Sequence, residues 1–288
     1  MTLVIANKIK NKISLSSDSR ISFGAAFIDF GIKIFTVPVK ITSPIDSETG
    51  KNTIIYNKKL GLAITGNVVN AYTVKESVYE ILQNLQYIPT HTEVSMNSIA
   101  NLVFKVYKKT CIDLLSILGE KGVSELILSG YCPLEDKIKT YVFTVDPKKY
   151  PRVPKFDEIL ISDEIILYGS GKKMGEEIHH KNPNFSPLFI LRAVINDQNE
   201  MTVGGGLQYG EFDLENNFNI YGVEDYELNT DGSFKEYKHQ LRGIEIYRKE
   251  FERDVDDFHI SYSFKRPFIT EIDHKLQEYL DRLEEGRD

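Results

Sequence analysis

Met1-Thr2-Leu3-Val4-Ile5-Ala6 opens the chain, and Ile13-Ser14-Leu15-Ser16-Ser17-Asp18-Ser19-Arg20 follows across a turn at residues 7–12. Two short runs rich in apolar and β-branched residues around a polar turn predict a hairpin. Met before a small residue is a substrate for ordinary aminopeptidase trimming. Loss of Met1 would leave Thr2 with a hydroxyl nucleophile and a free α-amine on one residue. An α-amine titrates near roughly 7.7–8.0, so a large fraction is neutral at physiological pH and able to take the hydroxyl proton. A threonine at position two means little alone. Its weight comes from the strand directly after it, the second strand, the Asp18-Ser19-Arg20 triplet and a lysine at Lys33.

Outward from this hairpin, residues 32–41, 53–56 and 60–65 read as further extended segments. The period then changes. Val74, Val78, Ile81 and Leu85 recur at helical spacing over residues 70–85, as do Ile99, Val103, Val106 and Leu114 over residues 94–118. Strands are expected at 124–131 and 140–145, helices near 172–180 and 186–196, and strands at 206–212 and 218–223. Strands, a helix pair, strands, a helix pair and strands suit two packed antiparallel sheets with helices on both outer faces. The predicted class is α+β, a four-layer αββα sandwich, over residues 1–223. Residues 224–288 form a charged, aromatic extension ending in a predicted helix at 272–283, with Leu276, Tyr279, Leu280 and Leu283 on one face. The polar run at 43–50 reads as the tip of a lengthened hairpin, either rimming the site or forming a plain surface loop.

A chain of 288 residues, 41% of them hydrophobic, can bury a large core. No stretch approaches the roughly 20 apolar residues of a membrane span, and the apolar run 3–6 is too short for a secretory signal. The expectation is a cytoplasmic protein with reduced cysteines, since Cys111 and Cys132 are too few and too far apart for a disulfide framework or a metal ribbon. A net charge of −7 argues against a nucleic-acid surface. The adjacent His179 and His180 point different ways on a helix, so no metal site is expected, and nothing calls for a cofactor.

The pattern of Thr2, strand, turn, strand, Asp18-Ser19-Arg20 and then Gly31-Ile32-Lys33-Ile34 resembles proteasome β-subunits and their bacterial relatives among the N-terminal nucleophile (Ntn) hydrolases. The lysine stands one residue closer to the triplet than usual. The resemblance covers about 210 residues. It takes in Gly61-Leu62-Ala63-Ile64-Thr65-Gly66-Asn67, the hairpin of Leu126-Ile127-Leu128-Ser129-Gly130-Tyr131 with residues 140–147, Tyr168-Gly169-Ser170-Gly171, and Thr202-Val203-Gly204-Gly205. Two positions depart from the family: Glu200 falls where its late-turn aspartate would sit and Val203 where its serine would sit, leaving the support of the amine incomplete. Asp197 is a nearby acid in a shifted register.

The resemblance implies a threonine-type peptidase. Thr2 would be the nucleophile, Lys33 a charged neighbour that stabilises the developing alkoxide, and Asp18 the partner that holds Lys33. The Gly66 N–H would face the oxyanion, Ser170 would orient the amine, and Arg20 would brace the turn. It places the pocket for the residue before the cut on Ile21, Gly31, Phe35 and Ile64, none charged, so apolar substrate residues are expected. It also implies a homo-oligomer, as a ring or a helical stack, acting on peptides or unfolded proteins with an ATP-dependent unfoldase as partner. Three other readings stand beside it: a catalytically inactive proteasome-like subunit, an Ntn amidohydrolase for a small amide, and an interaction protein working through its C-terminal tail.

Overall fold

A computed structural model describes residues 2–23, 26–88, 93–146, 148, 152–197, 199–228, 234–246 and 262–265. Along the chain these form β1 (Leu3–Ile9), β2 (Lys12–Asp18), β3 (Ile21–Phe23), β4 (Ala26–Ile28), β5 (Ile34–Thr42), β6 (Ile54–Gly66), α1 (Val68–Leu82), β7 (Leu85–Gln86) and α2 (Met96–Leu118). There follow β8 (Ser124–Cys132), β9 (Lys137–Val145), β10 (Pro154–Ile159), β11 (Glu164–Gly169), α3 (Lys172–Lys181), α4 (Pro187–Ile195), β12 (Leu207–Phe212), β13 (Phe218–Leu228), β14 (Phe234–Leu241), β15 (Ile244–Glu245) and β16 (Phe264–Lys265). The class is α+β, with two large sheets that are mostly antiparallel. One runs β11-β1-β2-β12-β13-β14-β15, with β16 added to β13, and the other runs β10-β9-β8-β6-β5-β7. A separate short hairpin pairs β3 with β4.

The opening hairpin forms as its sequence predicts. Lys10 and Asn11 both adopt positive φ (48° and 66°), as a two-residue turn between right-twisted strands requires. β1 alternates between two apolar environments. Leu3 and Ile5 pack against Leu188, Leu191 and Val194 of α4, whereas Val4 and Ala6 face Ala63, Ile127 and Val142 of the other sheet. A strand covered on both faces loses the polar alternation of a surface strand and becomes a continuous apolar run. On the far side of the second sheet, Val74 and Val78 of α1 and Ile99, Val103 and Tyr107 of α2 pack against Leu62, Leu126 and Phe143. Asn67 and Ser95 cap α1 and α2 by accepting from Asn70 N and Ser98 N, contacts worth about 1 kcal/mol each.

The segments expected at 53–56 and 60–65 are one strand, β6, continuous through Asn57-Lys58-Lys59. Pairing with β5 over its length carries those polar residues in the ladder. The first helix ends at Leu82 rather than at Leu85, which instead pairs with Ile41 in β7. Strands β3, β4, β7, β10, β11, β14, β15 and β16 were not anticipated. The expected boundary at Val223 falls inside β13. The hairpin tip at 43–50 lies beyond Thr42, at the opposite end of β5 from Lys33. That is roughly 30 Å away at about 3.3 Å per residue, so the tip is a surface turn and does not rim the site. The predicted helix 272–283 lies outside the described residues, as does Met1. Among the described residues no helix is long and apolar enough to cross a membrane.

Candidate active site

Thr2 immediately precedes β1 and is buried. Antiparallel pairing sets Leu3 opposite Gly169, and the turn after β11 therefore delivers Ser170 to Thr2, whose backbone nitrogen donates to Ser170 Oγ at 3.1 Å. Gly169 adopts φ +93°, and a Cβ there would lie 2.2 Å from the Thr2 carbonyl oxygen. Only glycine admits this approach.

Asp18 ends β2 with no exposed surface. Its Oδ1 accepts from Lys33 Nζ at 2.8 Å and from Leu3 N at 3.0 Å, and its Oδ2 accepts from Gly204 N at 3.1 Å and Arg20 N at 3.2 Å. Four donors around one carboxylate offset the cost of burying the charge. Lys33 is equally enclosed. Burial pulls its ammonium below the ordinary lysine value of 10.5, and the attraction of Asp18 opposes that shift. Gly66 ends β6 at φ +83°, where a Cβ would strike the Val123 carbonyl at 2.5 Å. Thr2, Lys33 and Gly66 line one cleft with Ile21 and Ile64.

Gly31 and Phe35, expected in the pocket, do not line that cleft. A Cβ on Gly31 would overlap Ile21 Cγ1 at 2.1 Å, so Gly31 leaves the space that Ile21 fills. Phe35 is buried, edge-on to Tyr72 at 5.6 Å between ring centroids. Ile32 and Tyr72 take their places, and the Tyr72 hydroxyl donates to the Ile32 carbonyl at 2.6 Å. Arg20 grips Asp29 through Nε at 2.7 Å and Nη2 at 3.0 Å and lies over the Phe27 ring.

On the late turn, Val203 packs with Leu3 in the apolar cluster under α4. Asp197 accepts from Asn199 within its own turn. Thr202, which the sequence reading passed over, does what Val203 lacks. Its Oγ1 lies 2.8 Å from Ser170 Oγ and donates to Glu200, whose carboxylate also accepts from Thr202 N at 3.1 Å. This hydroxyl stands one residue before Val203, the position at which the sequence reading looked for one. The fully enclosed Gln208 was also missed. Its contacts cross between the two sheets, and no spacing along the chain announces them.

A threonine just before the first strand, near a buried Lys–Asp pair, on two mostly antiparallel sheets with helices against them, defines the class of fold on which comparison bears. Among solved structures the chain is similar to Anbu (ancestral beta-subunit) from Yersinia bercovieri, with a TM-score of 0.51 and 14% identity over 83% of this chain and 87% of that one. It is similar to the helical assembly of the Anbu complex from Pseudomonas aeruginosa, with a TM-score of 0.53 and 13% identity over 97% and 96%. A Gly-1 mutant of Anbu from Hyphomicrobium sp. strain MC1 gives 0.51 and 13% over 88% and 91%. These likenesses concern the fold, and they correct the first resemblance: these three solved structures are Anbu (ancestral beta-subunit) proteins, where the motifs pointed to proteasome β-subunits and their bacterial relatives. No protein-family model matches the chain, and no curated protein matches it.

Proposed function

We propose that the protein is a threonine-type Ntn hydrolase that cleaves peptide amides once Thr2 is the first residue. The observation that carries this reading is Lys33, which lines the same cleft as Thr2 and is paired behind it with the buried Asp18. Thr2 Oγ attacks the carbonyl, the α-amine accepts its proton, and water hydrolyses the resulting ester. Lys33 stays charged and stabilises the developing alkoxide. The Gly66 N–H faces the oxyanion, an interaction worth about 2.7–4 kcal/mol. The pocket is apolar at Ile21 and Ile64, so peptides with an apolar residue before the cut are the substrates. Cleavage profiling of a peptide library tests this: cutting after Leu, Phe or Tyr is expected, and dominant cutting after charged residues overturns the pocket assignment.

Ser170, Thr202 and Glu200 orient the amine. Thr202 donates to Glu200, so Ser170 directs its proton to Thr202 at 2.8 Å rather than to the Thr2 carbonyl at 3.4 Å. Ser170 then accepts from the amine, leaving the nitrogen lone pair free for the threonine hydroxyl. A carboxylate at the end of this chain favours the protonated amine. Glu200→Gln and Thr202→Val are therefore expected to move the acid limb of the kcat/KM profile to lower pH, by about one unit or less. Unchanged limbs in both variants would remove the two residues from the mechanism.

The helices packed outside each sheet support the four-layer αββα arrangement. We read residues 1–223 as the catalytic core, with β13, β14 and β15 carrying its sheet past that boundary into the C-terminal extension. Val69, Ile112 and Ile117 stand exposed on α1 and α2, apolar surface of the kind that self-association covers. The buried, free Cys111 and Cys132 are compatible with a reducing setting, and we propose a homo-oligomer in the cytoplasm. Light scattering at micromolar concentration should find a species of many subunits, and a monodisperse particle of 33.0 kDa would exclude it.

A further inference from the structure

We infer that Gln208, through its side-chain amide, is the positioning residue that sets where the Lys33 ammonium stands; this rests on the catalytic reading of Lys33. Lys33 lies in the irregular stretch before β5, where its N–H has no place in the ladder. Gln208 on β12 is 1% exposed and reaches across from the other sheet. Its Oε1 accepts from Lys33 N at 2.9 Å and from Ile34 N at 3.3 Å, while its Nε2 donates to the Gly31 carbonyl at 2.7 Å and to the Asp18 carbonyl at 3.3 Å.

Two donors and two acceptors exhaust what a primary amide can offer. They also fix its orientation, because the flipped amide would set NH2 against two N–H groups and oxygen against two carbonyls. The contacts divide into two sets. One holds the main chain at 31–34, and the other holds the carbonyl of Asp18, the residue whose carboxylate receives Lys33 Nζ. Gln208 thereby ties the root of the lysine to the root of its partner. A direct bond from Gly31 N to the Ser19 carbonyl at 2.8 Å joins the same two segments, and Gln208 adds the contacts that reach Lys33 itself, so the reach of Nζ toward Thr2 depends on this side chain on a third strand. No other amide or carboxyl side chain accepts from Lys33 N among the described residues.

The side chain touches neither the cleft nor a peptide in it, so its effect belongs to kcat and not to KM. A displacement of about 1 Å in a catalytic group costs up to about 10²-fold. Gln208→Met keeps the length and removes all four hydrogen bonds. Gln208→Glu keeps the acceptor for Lys33 N and Ile34 N but turns an oxygen toward the two carbonyls.

The experiment measures hydrolysis of a fluorogenic peptide amide ending in leucine, together with the rate at which a leucine-bearing peptide epoxyketone labels Thr2, followed by intact mass. Both are read at a temperature where each variant is folded. Gln208→Met should lower kcat and the labelling rate about 10- to 100-fold with KM within about twofold, and Gln208→Glu should lose less. In a Lys33→Ala background, Gln208→Met should change the labelling rate no further, because its effect passes through the lysine. If Gln208→Met does not fold, Gln208→Glu decides: a reduced labelling rate at unchanged KM supports the assignment. Wild-type rates in a folded, less stable variant overturn it, as does a loss that multiplies in the Lys33→Ala background. Wild-type protein that the epoxyketone does not label at Thr2 refutes the catalytic reading itself, and the positioning role falls with it.

Discussion

Thr2→Ala abolishes peptide hydrolysis and epoxyketone labelling while leaving the fold and the assembly intact. The reason is local. Thr2 contributes one hydroxyl to the cleft, and its backbone contacts with Ser170 and Gly171 are made by atoms that alanine retains. Loss of a nucleophile leaves only the binding and oxyanion terms, so the expected fall reaches the background of the assay, of order 10³-fold or more by comparison with other covalent hydrolases. Intact mass of the wild-type protein reports whether Met1 has been removed, which the α-amine mechanism requires. Measurable turnover in Thr2→Ala at a comparable rate sinks the nucleophile assignment. A wild-type protein that is processed yet inactive on every peptide returns the chain to the non-cutting reading of its fold.

Asp18→Ala should lose activity and stability together. The carboxylate is fully buried and accepts from Lys33, Leu3, Gly204 and Arg20. Its removal takes their acceptor from the ammonium and from the backbone donors of Leu3 and Gly204, while Arg20 N keeps the Gly204 carbonyl at 2.9 Å. Breaking a buried pair from one side costs about 3–5 kcal/mol, which lowers the melting temperature by on the order of 10 °C. Equal melting temperatures for wild type and Asp18→Ala would refute the pair.

Asp18→Asn isolates the charge. Lys33 is already held below 10.5, first by burial, with Asp18 pulling the other way. The unfolded chain therefore binds the Lys33 proton more tightly than the folded one. This group's contribution to stability grows as pH rises from the folded pKa toward 10.5 and is lost as pH falls through that window. For activity the charged form is the working one, so the alkaline limb of kcat lies below the ordinary lysine range. Asp18→Asn should move it lower still. A limb that stays in place would show that Asp18 does not hold the charge on Lys33.

Much of the architecture could be read from periodicity. The opening hairpin, α2 and the β8–β9 pair appear within a few residues of where alternation and helical spacing place them. The elements that escaped are short or polar. The residues of β10 and β11 carry charges at Lys155, Asp157, Glu158 and Glu164, and pairing with β9 and β1, not hydrophobic pattern, makes them strands. β6 escaped for the same reason, its polar middle being held by β5.

The site divides along the same line. Thr2, Asp18, Lys33, Gly66 and Ser170 were named from the sequence through its family resemblance, and each stands beside a strand end or in a glycine turn. Gly66 and Gly169 need positive φ, and Asp18 must close a strand whose end meets backbone donors. Thr202, Tyr72 and Gln208 obey no such local rule. Each is an ordinary residue in its own segment and acquires a role only where separate segments meet: Thr202 beside Ser170, Tyr72 over Ile32, Gln208 between Lys33 and Asp18. The sequence by itself determined which residues carry reactive groups and which segments become strands and helices, because those follow from side-chain chemistry and from periods of 2 and 3.6 residues. Only the tertiary structure decided that Thr202 stands beside Ser170, which side chains line the cleft and that Gln208 accepts from Lys33 N, because hydrogen bonds across more than 170 residues of chain, as between Lys33 and Gln208, depend on how the sheets pack and leave no mark in local order.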